Sequence, residues 1–291
     1  MIHYVKRKEL HVEKYDDCIA SSIQSRIYAF SWYLDIVADH WDVLVLNDYE
    51  AVMPLPWRKK YFLKYITQPF FCQQLGIFST ESISVDLQEK MIQHIPKKFM
   101  KVTLNFNSEN FLTSNMTAKT NYLLGIHNTF EENFKKFNNN RKRDFKKAGE
   151  SLLTFEENIE INEFLDFYLL NDPFYSKYPS MKIVLQNILN LNPSVIQCFG
   201  VKSKEILIAC VLILNDGTRM TYLAPVSNDL GKEKGAPTFL IAEIIREYNN
   251  TYMLDFEGSM IDGVARFYGS FGAKEERYFS FSKGLIGGFF Y

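Results

Sequence analysis

The chain has 291 residues, of which 47 % are hydrophobic and 23 % charged, and its formal net charge is −1. This composition is typical of a folded protein with one large domain or two ordinary ones, and it excludes an intrinsically disordered chain. Because the net charge is close to zero, we expect no DNA partner, and any phosphate site must come from a local cluster of cations.

The amino terminus, MIHYVKRKEL, lacks the apolar core of a signal peptide, and no run of eighteen apolar residues predicts a membrane span. The four cysteines form no CxxC pair and lie among apolar residues, which predicts buried, reduced thiols. The five histidines show no metal-ligand spacing, so we expect no metal. Together these features predict a cytoplasmic protein.

The first half of the chain predicts a hairpin, a strand, a helix and a further strand, in that order. Residues 41–57 hold two apolar runs around a turn at 47–50. Residues 65–78 form a strand-like stretch with a loop through 73–76, QQLG. Residues 81–99 have apolar side chains at helical spacing, and residues 102–106 alternate as a strand does.

The second half repeats this order. Its predicted elements are a hairpin at 195–214, a strand at 220–226, a polar loop at 227–237, a helix at 238–248 and a strand at 253–256. Five elements recur with little residue identity, which predicts an α/β (α+β) chain of two tandem domains, each a mixed, mainly antiparallel sheet flanked by helices. The expected domains are residues 1–125 and 126–291.

A basic segment separates the two halves. Residues 131–150 are helical in composition, and seven cations lie within residues 135–147. Cations three and four positions apart share a helix face, which favours an anionic partner, with a solvated charged face as the alternative. Arg141 and Lys146 are the candidates for a phosphate contact.

Two candidate sites follow in the second half. The loop from Gly231 to Pro237, GKEKGAP, precedes a helix whose N-terminal N–H groups favour an anion, and a surface loop without ligand is the alternative. At the end of the next strand, Asp255 and Glu257 are expected on one face. A carboxylate with a raised pKa serves there as a general base, and a solvated strand end is the alternative.

Three stretches carry a resemblance to known enzymes. Residues 263–273, GVARFYGSFGA, resemble the G-x-x-R-F-K-x-x-F-G signature of FemAB-like acyl- and aminoacyltransferases, and Tyr268 and Gly272 resemble the Y-x-x-x-G-F helix end of GNAT acetyltransferases. Residues 140–148 resemble the N-x-R-R-x-I-R-K-A helix of the FemAB-like proteins. Residues 254–259, LDFEGS, resemble their acidic strand end and Gly-Ser turn.

The resemblance implies two tandem GNAT-like domains, with an acyl-donor site in the second. It implies an enzyme that transfers an acyl group from acyl-CoA, its co-substrate, to an amine or hydroxyl of a small molecule or cell-wall precursor. A peptidoglycan-bridge-type transferase that uses aminoacyl-tRNA is one alternative. A non-catalytic GNAT-like binding protein is the other, because the first half has a single glycine, Gly76, in the corresponding loop.

The resemblance also implies residue roles. Glu257, with Asp255 beside it, is the implied general base, and Tyr268 is the implied acid that protonates the leaving group. The implied donor-binding residues are Tyr222, Leu223, Ala224, Gly231, Lys232, Gly235, Ala236, Pro237 and Thr238. The implied acceptor-binding residues are Arg141, Arg143, Lys146 and Arg266.

Overall fold

The computed structural model describes residues 1–126, 129–173, 177–248, 252–258 and 260–284. The chain forms two compact units: unit 1 is Met1–Lys119 with the chain from Arg277 onward, and unit 2 is Thr120–Glu276. The division falls within the strand Met116–Ile126. The expected domain boundary lies at the end of the same strand, and the domain limits themselves stay a prediction.

Unit 1 is built on a mixed sheet. Its strands are β1 (Ile2–Lys6), β2 (His40–Leu46), β3 (Ala51–Lys60), β4 (Leu63–Ile66), β5 (Phe78–Ser79), β6 (Phe99–Phe106) and the C-terminal part of β13 (Lys274–Gly284), and its helices are α1 (Val12–Ser21), α2 (Ser31–Val37) and α3 (Val85–Gln93). The order across the sheet is β1-β2-β3-β4-β6-β13, with β5 beside β3. β4 and β6 run parallel, whereas the hairpin strands run antiparallel.

The hairpin predicted at 41–57 is confirmed as β2 and β3. β4 pairs with residues 57–60 of β3, and β5 pairs with residues 51–52. Pro54 and Pro56 fall between these two pairings, where β3 keeps its partner β2 on the other side. A proline has no N–H to donate to a second neighbour, which explains why these positions tolerate it.

The remaining predictions for the first half hold in part. The strand-like stretch predicted at 65–78 is confirmed only at its two ends, because β4 ends at Ile66 and the chain returns to the sheet in β5 at Phe78. The connection between the two strands is longer than the loop predicted at 73–76. Pro69 lies between them and favours a turn over a continued ladder. The helix and the strand predicted further along are confirmed as α3 and β6.

Unit 2 has a sheet in the order β7-β12-β11-β10-β9-β8. Its strands are β7 (Met116–Ile126), β8 (Thr154–Glu156), β9 (Ile196–Ser203), β10 (Ile206–Asn215), β11 (Arg219–Ser227) and β12 (Tyr252–Asp255), and its helices are α4 (Phe130–Lys136), α5 (Asn139–Glu150), α6 (Ile161–Asn171), α7 (Ser180–Leu189), α8 (Asp229–Lys234), α9 (Ala236–Glu247) and α10 (Asp262–Gly269). None of the helices in the described residues combines the length and the apolar character that crossing a bilayer requires.

Both units repeat one topology, which confirms the predicted tandem α/β architecture. In each, a hairpin (β2–β3 or β9–β10) continues antiparallel into a third strand (β4 or β11). A helical segment then leads to a strand that lies parallel to the third one, β6 or β12. Parallel neighbours require a crossover connection, and α3 in unit 1 and α8–α9 in unit 2 provide it.

The buried side chains include the four cysteines, Cys18, Cys72, Cys198 and Cys210, which are all free, as the sequence predicts. Desolvation raises the pKa of the Cys18 thiol to about 11 and that of Cys198 to about 12. Within the described part of the chain, no three His, Cys, Asp or Glu side chains come together as metal ligands would.

Candidate functional site

A cavity of about 1030 Å³ opens on unit 2 beside α10. Its lining comes from α10, from the last turn of α4 and from the first turn of α5. Tyr122 of β7 and Glu275 of β13 also line it, and the phenol of Tyr122 donates to Oε1 of Glu275 at 3.3 Å. The two most basic motif segments, 138–148 and 263–273, therefore contribute to one cavity.

Positive charge exceeds negative charge on this lining. Three cations, Lys136, Arg141 and Arg266, face two acids, Asp262 and Glu275. The sequence predicted Arg141 and Arg266 as binding residues. It missed Lys136, which lies in the same basic segment, because nothing in the pattern shows which of its lysines faces α10. The excess of positive charge fits an anionic ligand.

The other two predicted acceptor residues lie elsewhere on α5. Arg143 donates to Oδ1 of Asn140 at 3.2 Å. Lys146 lies 3.9 Å from a carboxylate oxygen of Glu150, and its side chain is 81 % exposed. With 3.6 residues per turn, five positions along a helix rotate a side chain by roughly 140°, so Arg141 and Lys146 face different sides. The structure brings Arg141 and Arg266 together, and not Lys146.

Arg141 is held beside the start of α9. Its Nη1 donates to Oγ1 of Thr238 at 2.7 Å, and its Nη2 lies 2.8 Å from the Asp144 carboxylate. Its guanidinium carbon lies 4.6 Å from the ring centre of Phe267. Burial lowers the pKa of Arg141, and its buried Nε has no hydrogen-bond partner among the described residues. A cation at the positive end of a helix is unfavourable, so a bound anion would stabilise both.

The two motif segments contact each other at the start of α5. Oδ1 of Asn138 accepts the N–H of Arg141 at 3.0 Å, and the N–H of Asn138 donates to the carbonyl of Ser270 at 2.9 Å. Gly272, at φ 88°, comes so close that a Cβ there would lie 2.7 Å from Cβ of Lys136. The N-cap and this close approach fix Lys136 and Arg141 relative to α10.

A second cavity of about 100 Å³ lies beside the end of β11 and the first turns of α9. The pairing of β11 with β12 runs as far as Thr221 and Asp255, after which the strands separate. β11 then bulges against β10 and carries Ala224 at φ 51°. Phe267 lines both this cavity and the large one, so its ring lies between the two.

Three aromatic rings pack together where β11 and β12 separate. Phe256 and Tyr268 are stacked with ring centroids 4.5 Å apart, and Tyr222 meets Phe256 edge-on at 5.6 Å. Tyr222 and Tyr268 also line the smaller cavity. Burial first, and the negative charge of Glu257 second, raise the pKa of Tyr268 well above its usual value. The phenol of Tyr268 therefore stays protonated at neutral pH.

Asp255 is a buried and fully engaged carboxylate. It is 1 % exposed, and it accepts hydrogen bonds from Nη1 of Arg219 at 2.5 Å and from Nδ2 of Asn121 at 2.9 Å. It also accepts the backbone N–H of Glu257 at 2.9 Å. These donors make Asp255 a group that orients its neighbours, since its lone pairs are already used.

Glu257 lies in a turn and not on the strand. The expectation that Asp255 and Glu257 alternate on one strand face is wrong, because β12 ends at Asp255 and Glu257 has φ 55°. Gly258 follows at φ 55°, and a Cβ there would lie 2.3 Å from the carbonyl oxygen of Thr120. The turn is thus pressed against β7 and aims Glu257 near Tyr268. Ser259, the last residue of the motif, lies outside the described residues.

The predicted donor segment is helical. The polar loop expected at 227–237 is wrong, because residues 229–234 form α8, and Gly235 at φ 78° joins it to α9. A Cβ on Gly231 would lie 2.2 Å from the carbonyl oxygen of Ile208, and one on Gly235 would lie 2.6 Å from that of Asp144. Close packing against β10 and α5 therefore accounts for both glycines.

Most N–H groups at the start of α9 are already bonded. The N–H of Gly235 donates to the carbonyl of Lys232 at 3.2 Å. Those of Thr238 and Phe239 donate to the carbonyl of Gly235 at 3.1 and 3.0 Å. Pro237 has no N–H at all. This helix start has fewer donors left for a pyrophosphate than an open N-terminus offers.

The other predicted donor residues are divided between the core and the smaller cavity. Leu223 and Ala236 are buried in the core at 1 % and 0 % exposure. Lys232 is exposed on α8. Tyr222 and Pro237 line the smaller cavity, which makes them the members of the predicted set that a ligand there would contact.

No protein-family profile and no curated protein matches this chain in sequence. Solved structures match it in fold. FemX superposes over 93 % of this chain and 96 % of its own, with a TM-score of 0.63 and 11 % identity. A conserved protein of unknown function from Bacteroides thetaiotaomicron covers 97 % and 100 %, with a TM-score of 0.60 and 11 % identity. A tandem GNAT protein from the clavulanic acid biosynthesis pathway covers 97 % and 98 %, with a TM-score of 0.57 and 8 % identity.

The chain has a FemAB-like, tandem GNAT fold. This confirms the fold that the motif segments implied, and at these identities the likeness concerns the fold alone.

Proposed function

We propose that unit 2 is an acyltransferase that moves an acyl group to the amine or hydroxyl of an anionic acceptor. The observation that carries this proposal is the cavity of about 1030 Å³ lined by Lys136, Arg141 and Arg266. Phe267 lines both this cavity and the smaller one beside β11, and the guanidinium carbon of Arg141 lies 4.6 Å from its ring centre. Two adjoining cavities, one of them lined by an excess of cations, can bind an acceptor and an acyl donor next to each other.

The acceptor in this proposal places a phosphate or carboxylate among the three cations. Arg141 is the fixed member, since Thr238 and Asp144 hold its guanidinium in place. Lys136 and Arg266 add charge from α4 and α10. A small-molecule acceptor and a cell-wall precursor both satisfy this chemistry, provided that they carry an anionic group.

The proposed transfer uses Glu257 and Tyr268 as proton carriers. The acceptor nitrogen or oxygen attacks the acyl carbonyl carbon and loses its proton to the Glu257 carboxylate. The bond from the carbonyl carbon to the leaving thiolate or alkoxide then breaks, and that group takes the phenolic proton of Tyr268. Asp255 acts as a positioning residue in this scheme, because it holds the backbone N–H of Glu257 at 2.9 Å.

Acyl-CoA is the first candidate donor, with its acyl end along β11 near Tyr222 and Pro237. The GNAT fold and the sequence pI of about 6.5 support it, since a large tRNA footprint usually requires a basic surface. Aminoacyl-tRNA is the second candidate. The observation that favours it is the start of α9, whose N–H groups are mostly bonded within the helices and therefore suit a pyrophosphate poorly.

Melting temperature is the test of the donor. Acetyl-CoA, free CoA and a tRNA pool are added in parallel, because a ligand that binds the folded state raises the melting temperature by mass action. A shift with CoA species supports the first donor, and a shift with tRNA alone supports the second. Absence of any shift contradicts the enzyme proposal and leaves a non-catalytic binding protein as the explanation.

Pyrophosphate titration of the large cavity tests the acceptor site. Arg266→Gln removes one cation from an exposed position on α10 and should weaken pyrophosphate binding about tenfold. Lys146→Gln is the matched control, since it removes one cation of the same basic set outside the cavity and should leave the affinity unchanged. Equal effects of the two variants would contradict the site.

A further inference from the structure

The hairpin that joins β3 to β4 in unit 1 ends in an exposed apolar tip. Tyr61 and Phe62 form its two-residue turn and are 83 % and 92 % exposed, and Leu63 next to them is 43 % exposed. We call these three residues the aromatic tip. Exposed aromatic rings gain no hydrophobic stabilisation from folding, because their apolar area stays in contact with water.

Local stability does not explain the aromatic tip. Lys60 and Leu63 are the last pair of the hairpin, so the turn has two residues. Such turns favour small residues, with glycine at a central position of positive φ. Tyr61 nevertheless adopts φ 56°, which is unfavourable for a bulky side chain. The chain keeps two large rings where small residues would give a more stable turn, which indicates a role outside the hairpin.

Cations flank the aromatic tip on the hairpin itself and on the neighbouring strand. Residues 58–64, RKKYFLK, hold four cations and no acid in a chain whose net charge is −1. Lys64 is in register with Phe99 of the neighbouring strand, β6. That strand adds Met100, which is 48 % exposed, at the side of the hairpin. Its flanking lysines are Lys97, Lys98 and Lys101.

Lys64 and Lys6 lie close enough to Lys98 to affect its pKa. Partial burial is the first cause that lowers the pKa of Lys98; Asp42 acts next, in the opposite direction, and the charges of Lys64 and Lys6 lower it further. On the hairpin, Arg58 forms an ion pair with Asp39 at 3.0 Å. Excess positive charge of this kind is relieved by an anionic partner.

We propose that the aromatic tip anchors unit 1 on the surface of an anionic lipid bilayer. Apolar side chains stand at the end of the hairpin, and the cations stand on its stems and on β6 behind them. A bilayer has the matching order of layers, with phosphates outside and the apolar region beneath them. Aromatic residues are enriched at that boundary, and each lysine near an anionic surface adds attraction.

A bilayer fits the aromatic tip better than a nucleic acid does. Single-stranded nucleic acid is bound along a groove in which bases stack on successive aromatic rings and phosphates follow a basic track. Tyr61 and Phe62 are adjacent residues on an exposed two-residue turn, not successive rings along a groove. A projecting point that is apolar at its end and basic behind fits insertion to a limited depth.

Vesicle sedimentation tests the anchor. The full chain should sediment with vesicles of phosphatidylcholine containing phosphatidylglycerol and stay in solution with phosphatidylcholine alone. The double variant Tyr61→Gly with Phe62→Asn should bind these vesicles about tenfold more weakly. Its melting temperature should be equal to that of the natural chain or higher, because glycine suits the positive φ at position 61. Folding failure is thus separated from loss of binding.

Two further variants sharpen the test. Lys59→Glu with Lys97→Glu keeps the rings but reverses two charges, and it should weaken binding to phosphatidylglycerol vesicles about tenfold. Leu170→Asn is the matched control, since Leu170 is 83 % exposed on α6 of unit 2 and should leave binding unchanged. Raised salt should weaken binding of the natural chain.

Three results would overturn the anchor. One is binding to phosphatidylglycerol vesicles that the Tyr61 and Phe62 substitutions leave unchanged. Another is absence of vesicle binding by the natural chain. The third is loss of tRNA-pool binding, measured by fluorescence anisotropy, in the Tyr61 and Phe62 variant without any vesicle effect, which would assign the aromatic tip to nucleic acid. None of these readouts depends on acyl transfer, so the proposed function stands or fails separately.

Discussion

At the scale of single residues, two acids in one short motif have different surroundings. Asp255 is 1 % exposed and accepts hydrogen bonds from Arg219 and Asn121. Glu257 lies two positions on, in a turn at φ 55°, and its charge reaches the phenol of Tyr268. The first environment stabilises the fold, and the second suits proton transfer, so the two acids should respond differently to neutralisation.

Asp255→Asn should lower the free energy of unfolding by about 3 kcal/mol, because it removes one charge of a buried ion pair. Urea denaturation measures this. Glu257→Gln is the control of equal chemistry, and it should change the free energy of unfolding by less than about 1 kcal/mol. A stable Asp255→Asn variant would show that the ion pair with Arg219 contributes little.

Tyr268→Phe should lower kcat about 100-fold at an unchanged melting temperature, because the ring stack with Phe256 is kept and only the hydroxyl is lost. Because the pKa of Tyr268 is raised, ionisation of this phenol should not reduce the wild-type kcat below pH 10. A pH–rate profile with the cognate donor measures both. Unchanged turnover in Tyr268→Phe and in Glu257→Gln would exclude this pair as the proton carriers.

At the scale of elements, the crossover of unit 2 combines two functions that the sequence pattern does not separate. α8 and α9 join β11 to β12, and they also bear the glycines that resemble a phosphate loop. Gly231 lies against the backbone of β10 and Gly235 against that of α5. These two glycines therefore allow close helix packing, and the backbone that a ligand would otherwise approach is covered by β10 and α5.

Gly235→Ala should lower the free energy of unfolding by about 2 kcal/mol, because φ 78° and the carbonyl of Asp144, 2.6 Å from the new Cβ, both oppose it. Gly149→Ala is the matched control on α5, where a Cβ meets nothing within 4 Å, and it should be stabilising by about 0.5 to 1 kcal/mol. Chemical denaturation measures both. A Gly235→Ala variant that is stable but no longer responds to donor would assign Gly235 to ligand binding.

At the scale of the whole molecule, both units bury tyrosine side chains. Burial is the first cause that raises the pKa of Tyr15 in unit 1 and of Tyr168, Tyr222 and Tyr268 in unit 2. The unfolded value is 10.0. The folded chain therefore holds these four protons more tightly than the unfolded chain does, so their contribution to stability is complete below pH 10 and falls as the pH rises above it.

The free energy of unfolding should fall above pH 10 by up to about 1.4 kcal/mol per pH unit for each of these tyrosines. Urea denaturation at several pH values between 9 and about 11.5 measures the slope. Tyr268→Phe should make the slope shallower by about one such increment. A slope equal to that of the natural chain would show that Tyr268 ionises freely in the folded chain.

Much of the architecture could be predicted from local pattern. The hairpins around 41–57 and 195–214 are confirmed because alternation and turn residues act within a few positions. The recurrence of the five elements predicted the tandem fold. The stretch predicted at 65–78 is a strand only at its ends, and the loop predicted at 227–237 was wrong, because strand pairing and helix packing depend on partners that are distant in sequence.

The order of elements, their duplication and the two segments that line the large cavity depend on spacing along the chain, so they could be predicted without the structure. The tertiary structure selects which cations share that cavity, since rotation around α5 directs Arg141 inward and Lys146 outward. It also decided that Asp255 is engaged by distant donors and that Tyr61 and Phe62 stand exposed. Contact between side chains far apart in sequence is a property of packing, and no local pattern encodes it.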